Sequence, residues 1–253
     1  MKKIFFVALL FTLAFNIFPD QKGEEIARKY FDLKESNDSS SITIMVLIDR
    51  NGNKKIRKMQ TFSKKGKDGR NSFVRFIEPA DVSGTTFLTI GHKVGDDEQR
   101  LYLPALGKVR RISSSQKDGK FMGSDLYYFD MEDHEYADFT YKYIKDDKYN
   151  DMDCYVVEMY PKDTNAPYSK EVAWINKDNY FTYKIECYDK KKGNQKIKTI
   201  VFMDVKEISG VLYPQKIVVD NHKENHKTLL EDTNIKINTG LSDNIFTIQN
   251  MQK

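Results

Sequence analysis

Turn signals recur along this chain, often about eight to twelve residues apart, and that spacing constrains the fold more than any other feature. They include Asn51-Gly52-Asn53, Lys65-Gly66-Lys67-Asp68-Gly69, Gly95-Asp96-Asp97, Lys117-Asp118-Gly119, Asn165-Ala166-Pro167, Lys177-Asp178-Asn179 and Ser209-Gly210. Between them lie short runs rich in Val, Ile, Tyr, Phe and Thr, clearest in the second half: CYVVEMY, EVAWI, YFTYKIECY, KIKTIVFMDV, LYPQKIVVD and TNIKIN. The pattern predicts an antiparallel, mainly β fold of about a dozen strands. An open sheet of that many strands tends to curl, split or close. No Pro-, Gly- or Ser-rich linker and no fixed-period repeat divides the sequence, so residues 19–253 are expected to form one β domain.

Two segments depart from the strand pattern. Residues 1–18 (MKKIFFVALLFTLAFNIF) place two lysines before a mostly apolar run, the order of a secretory signal, with no clear cleavage site. The run is short for the roughly 20 apolar residues of a membrane span. Export is therefore expected, and the short lysine-led leader points to a bacterial periplasm. The best helix after it is Gly23 to Ser36, with Ile26, Tyr30 and Leu33 on one face. It is available to cover one opening of a curled sheet.

Several strands carry apolar residues at both parities. Ile42, Ile44, Val46 and Ile48 alternate with Thr43, Met45 and Leu47, and KTIVFMDV has no cleanly polar face. A sheet with one wet face alternates apolar and polar. Here either both faces are covered or one lines a dry cavity. Met45, Met122, Met159 and Met203 suit an irregular apolar pocket, because the flexible thioether adapts its shape.

Charge excludes some functions. Lys plus Arg (41) nearly balance Asp plus Glu (37), so no concentrated positive field favours nucleic acid as a partner. Catalytic patterns are absent too. No G-x-S-x-G occurs, no glycine-rich phosphate loop follows a strand, and Ser113 to Ser115 have no paired histidine in view. His222 and His226 bracket a polar stretch that reads as a hairpin tip rather than a metal site. Cys154 and Cys187 are either a disulfide or two separately buried thiols. No catalytic residue, cofactor or metal is expected.

Arg75 to Asp130 is the distinctive region. It holds three blocks in order. The first is R-F-x-x-P-x-D-x-x-G-T-x-F-L, from Arg75 to Leu88. The second is L-Y-L-P-A-L-x-x-V-R-R-I, from Leu101 to Ile112. The third is F-M-G-S-D-x-x-Y-x-D, from Phe121 to Asp130. Its glycines fit bends or close approaches. Arg110 and Arg111, beside apolar strand residues, either meet an anionic head group or partner acid, or pair with Asp125 or Asp130.

These blocks resemble the outer membrane lipoprotein-sorting proteins, relatives of the periplasmic carrier LolA. The resemblance implies an incomplete antiparallel β-barrel over a hydrophobic cavity, partly closed by a helical lid. It implies non-catalytic carriage of lipoprotein acyl chains or other lipids toward the outer membrane, between an inner-membrane transporter and an outer-membrane acceptor. The alternative is a periplasmic scaffold or accessory module of a lipid-exporting transporter. On the carrier reading, Phe76, Phe87, Leu88, Leu103, Phe121 and Met122 are the candidates for the acyl-chain cavity. Arg75, Arg110 and Arg111 are the candidates for head-group or partner contact.

Overall fold

A computed structural model describes residues 20–191 and 193–253. The leader expected over residues 1–18 lies outside the described residues. Thirteen strands follow one short helix: α1 (Gln21–Phe31), β1 (Asp38–Ile48), β2 (Lys54–Lys65), β3 (Arg70–Glu78), β4 (Thr86–Ile90), β5 (Glu98–Leu103) and β6 (Lys108–Ile112). After a long connection come β7 (Phe139–Tyr149), β8 (Met152–Pro161), β9 (Tyr168–Asn176), β10 (Thr182–Asp189), β11 (Lys196–Ile208), β12 (Val211–Asn221) and β13 (His226–Ile237). A final α2 spans Ile248–Met251. All thirteen strands form one sheet in the order β6-β5-β4-β3-β2-β1-β13-β12-β11-β10-β9-β8-β7. The sheet is antiparallel throughout, curved and unclosed, with β6 and β7 as its two edges.

The order explains the turn spacing. Every neighbouring pair is consecutive in sequence except β1 with β13, where Thr43 faces Asp232 and Met45 faces Leu230. Tight hairpins therefore build two ribbons, and one long-range seam joins them.

Strand parity assigns the faces. Met45, Leu47, Met59, Val74, Phe76 and Phe87 turn to the concave side, where they share one core with Val157, Met159, Ala173, Ile175 and Ile200. In β1 the mixed face, Ser41 to Leu47 at alternate positions, is the buried one, and the aliphatic Ile42 to Ile48 face is only half-buried outside. Thr43 can turn inward because its hydroxyl is satisfied there, 2.9 Å from the Thr61 hydroxyl and donating to Asp232 Oδ1 at 2.6 Å.

Two smaller clusters cover parts of the convex side. Phe73 and Leu88 pack under Phe246 and Met251 of the C-terminal segment. Cys154, Val156, Val172 and Trp174 form the other. Both cysteines are free and buried, Cys187 in the concave core and Cys154 in the Trp174 cluster, so of the two sequence alternatives the separate thiols are found.

α1 is shorter than the sequence suggested and begins earlier. Asp20 caps it, its Oδ1 accepting the Gly23 N–H at 3.1 Å. Asp20 Oδ2 also takes the Tyr143 N–H of edge strand β7 at 2.7 Å. A Cβ on Gly23 would stand 2.6 Å from the Tyr143 nitrogen, so glycine is what lets the helix lie this close to the strand backbone. Ile26 and Ala27 are buried beneath the helix, and Phe31 meets the rings of Tyr136, Phe139 and Tyr141.

Candidate ligand-binding site

The concave interior is crossed by the β6–β7 connection, residues 113–138, a chain of 3₁₀ turns running from one sheet edge to the other. It carries Phe121, Leu126, Tyr128 and Phe129 into the core. Phe121 lies 6.0 Å from Phe76 and 5.1 Å from Phe87, ring centre to ring centre, and Phe87 stacks on Tyr128 at 5.7 Å. What remains is an apolar hollow of about 170 Å³. The strands line it with Met45, Met59, Val74, Ile217 and Leu230, and the crossing segment with Phe121, Leu126 and Met131. A hollow of ~150 Å³ suits a benzene-sized guest, whereas sites for drug-sized ligands run to roughly 300–1,000 Å³. Two larger openings, of about 580 and 530 Å³, flank the chain just after α1. The first is lined by Tyr30, Phe31, Leu33, Phe181, Val211 and Leu212 among others, and the second by more polar residues, including Lys34, Lys65 and Arg70.

Buried polar contacts hold the crossing segment in place. Lys198 shares the inward parity of Ile200 and Phe202, yet it is only 1 % exposed. Its Nζ donates to the Asp125 carbonyl at 2.7 Å and to Asp130 Oδ2 at 2.8 Å, and sits 3.8 Å from the Tyr127 ring centre. Tyr168 donates its hydroxyl proton to Asp130 Oδ1 at 2.7 Å. The fully buried Asp125 carboxylate accepts from Asn221 Nδ2 at 2.9 Å and Thr228 Oγ1 at 2.7 Å, and lies 2.6 Å from His226 Nδ1. The conspicuous F-M-G-S-D block is thus a polar lock onto β11, β12 and β13.

A second lock is centred on Lys117, whose ammonium lies 2.7 Å from Asp96, 3.1 Å from Glu132 and 2.6 Å from Asp163. Burial alone would lower the Lys117 pKa, but these three carboxylates outweigh it and raise it. Burial lifts Glu132 to about 7 against the pull of Lys117. Glu171, on the inward face of β9, is likewise lifted by burial, to about 8.

The sequence-derived candidates separate into two groups. Phe76, Phe87 and Phe121 come together in the concave core, with Leu103 and Met122 partly buried against it. Leu88 lies on the convex side beneath the C-terminal segment. Arg75 is there too, its guanidinium donating to the carbonyls of Asn250, at 2.6 Å, and Lys253. Arg110 and Arg111 are exposed on β6, and neither pairs with Asp125 or Asp130, because those carboxylates are taken by the lock just described. Arg110 turns instead to the Tyr128 hydroxyl. Of the methionines, Met45 lines the hollow, Met159 is in the core, and Met203 is exposed outside. Sequence reasoning missed Lys198 and Lys117. A lysine sharing strand parity with Ile200 and Phe202 is the signal that could have flagged Lys198.

Among the described residues, no group of three or more His, Cys, Asp or Glu side chains could hold a metal ion. None of the described helices is long and apolar enough to cross a membrane.

The curved, unclosed antiparallel sheet is a fold shared with LolA superfamily neighbours. A superfamily protein from Nitrosomonas europaea matches at 22 % identity, over 90 % of this chain and 98 % of that one, with a TM-score of 0.71. A domain of an outer membrane lipoprotein-sorting protein from Vibrio parahaemolyticus is 34 % identical over 92 % of this chain and all of that one, with a TM-score of 0.88. A DUF1329 family protein from Desulfovibrio piger is 31 % identical over 92 % and 99 %, with a TM-score of 0.86. A family described only as "uncharacterized protein" matches residues 68–253. Comparison with curated proteins finds no match. The chain belongs to the outer membrane lipoprotein-sorting, DUF1329 family.

Proposed function

We propose that this protein is a non-catalytic periplasmic carrier that takes lipoprotein acyl chains, or other lipids, into its concave interior for transfer toward the outer membrane. The observation that carries the reading is the apolar hollow bounded by Met45, Met59 and Phe121 inside the curved sheet. Kinship with lipoprotein-sorting proteins and the signal-like order of residues 1–18 support it. Phe121 lines that hollow and is backed by Phe76 and Phe87 as the proposed acyl-chain wall, with Leu103 and Met122 at its margin. Each methylene moved from water into such a wall gains about 0.8 kcal/mol. Ten methylenes would contribute roughly 8 kcal/mol before ordering costs. A chain of that length exceeds the resting hollow, so loading requires the segment around Phe121, or α1, to move outward.

The two locks favour a second reading, a scaffold or accessory module of a lipid-exporting inner-membrane transporter. A core held shut by Lys198–Asp130 and by Lys117 suits a surface that docks rather than an interior that fills. One experiment separates them. Purified mature protein is analysed by native mass spectrometry and lipid extraction, then titrated with a fluorescent fatty acid. Carriage requires co-purifying lipid or saturable one-to-one uptake. An empty protein that takes up no probe sinks the carrier reading.

A further inference from the structure

The two edges of the sheet are treated differently. At β7, α1 covers the strand, and Asp20 takes the outward Tyr143 N–H. At β6, the strand hydrogen-bonds to β5 on one side only, and no other described residue bonds to the backbone of residues 108–112. Three of its five residues, Lys108, Arg110 and Arg111, are exposed cations, and none lies within ion-pair distance of a described carboxylate. Glu98 pairs with Arg100, and Asp96, which feels Arg111 only at longer range, pairs with Lys117. At the head of β6, the turn Pro104–Leu106 is exposed, with Leu106 66 % accessible.

Charged edges commonly deter pairing, and this one deters a second copy of itself, since arginine would face arginine or lysine. The same charges select a strand of opposite sign. We propose that β6 is a docking edge that receives an extended acidic segment of a partner protein as a fourteenth strand. Main-chain hydrogen bonds would supply register, and carboxylates at two successive positions, which point to opposite faces, would meet Arg110 on the concave side and Arg111 on the convex side. Leu106 would cover an apolar side chain at one end. Five residues of β6 pair over roughly 17 Å, so the recognised segment is short and the contact reversible. This proposal does not depend on lipid carriage.

The test uses the full mature chain and a labelled ten-residue peptide in which pairs of glutamates alternate with pairs of valines, so that both faces carry carboxylates, read by fluorescence anisotropy. A second peptide carries N-methyl groups on alternate amides, and a third has lysine for glutamate. The protein variant is K108E/R110E/R111E, its fold checked by thermal unfolding. The acidic peptide should bind saturably and protect the β6 amides from hydrogen exchange. N-methylation and the triple charge reversal should each weaken binding by about tenfold or more. The lysine peptide should bind the reversed variant better than the parent. Three outcomes would overturn the proposal: no binding of the acidic peptide, equal binding of its N-methylated form, or protection mapped away from β6.

Discussion

Replacing Phe121 with alanine separates the stability of the interior from its capacity. The ring is 1 % exposed and touches Phe76 and Phe87 beside the 170 Å³ hollow. Truncating a buried phenylalanine costs about 3–5 kcal/mol, of which each aromatic contact supplies about 0.5–1.5 kcal/mol. Urea unfolding should therefore show a large loss of stability. The same truncation joins the volume of the ring to the hollow, so a fluorescent fatty acid should bind more tightly, not less. Leu88→Ala is the matched control. Leu88 is equally buried but lies on the convex side. It should lose about 2–5 kcal/mol and leave fatty-acid affinity unchanged. If both variants lose affinity in step with stability, the concave hollow is not where the chain binds.

Gly23→Ala would push a methyl group to 2.6 Å from the Tyr143 nitrogen, so α1 must lift from β7 at a cost of about 1–3 kcal/mol; faster hydrogen exchange at Tyr143 would report it. Asp130→Ala strands the Lys198 ammonium in the interior and should cost about 3–5 kcal/mol, while the double change Lys198→Met with Asp130→Leu should recover most of that; urea midpoints decide. Burial lifts Glu171 to about 8 from 4.5, so the native protein keeps a proton that the unfolded chain releases. The stability tied to that proton is fully present below about pH 4.5 and falls as pH rises through 8, by about 3–5 kcal/mol. Glu171→Gln should flatten the fall, and a variant whose unfolding midpoint keeps the parental slope across that interval would refute the assignment.

The strand-and-turn rhythm was legible because tight hairpins leave Gly, Asn and Asp at regular intervals, and the meander reproduces it almost strand for strand. The crossing segment was not. Its 3₁₀ turns have no period for an apolar pattern to follow, so Leu126 and Phe129 carry no mark in the sequence that they fill the interior, and Phe121 was marked only by the block it opens. Parity was ambiguous for a related reason. Thr43 looks like an outward residue until Asp232, far along the chain, satisfies its hydroxyl. Leu88 and Arg75 shared a block with Phe76 and Phe87, but neighbours of opposite parity on one strand face opposite sides. The helix boundary turned on Asp20, whose second carboxylate oxygen serves β7, a contact no local pattern reveals.

The pairing order has a kinetic corollary. Each half of the chain can zip up from its own reversals, since those pairs lie close in sequence, whereas the β1–β13 contact bridges Thr43 and Asp232 across 189 positions. Closing a loop that long is the entropically slow event. Assembly should pass through two preformed ribbons awaiting one suture, so weakening Thr43–Asp232 should slow refolding more than an equal loss inside the β7–β8 hairpin. Equal retardation in stopped-flow refolding would dismiss that order of events.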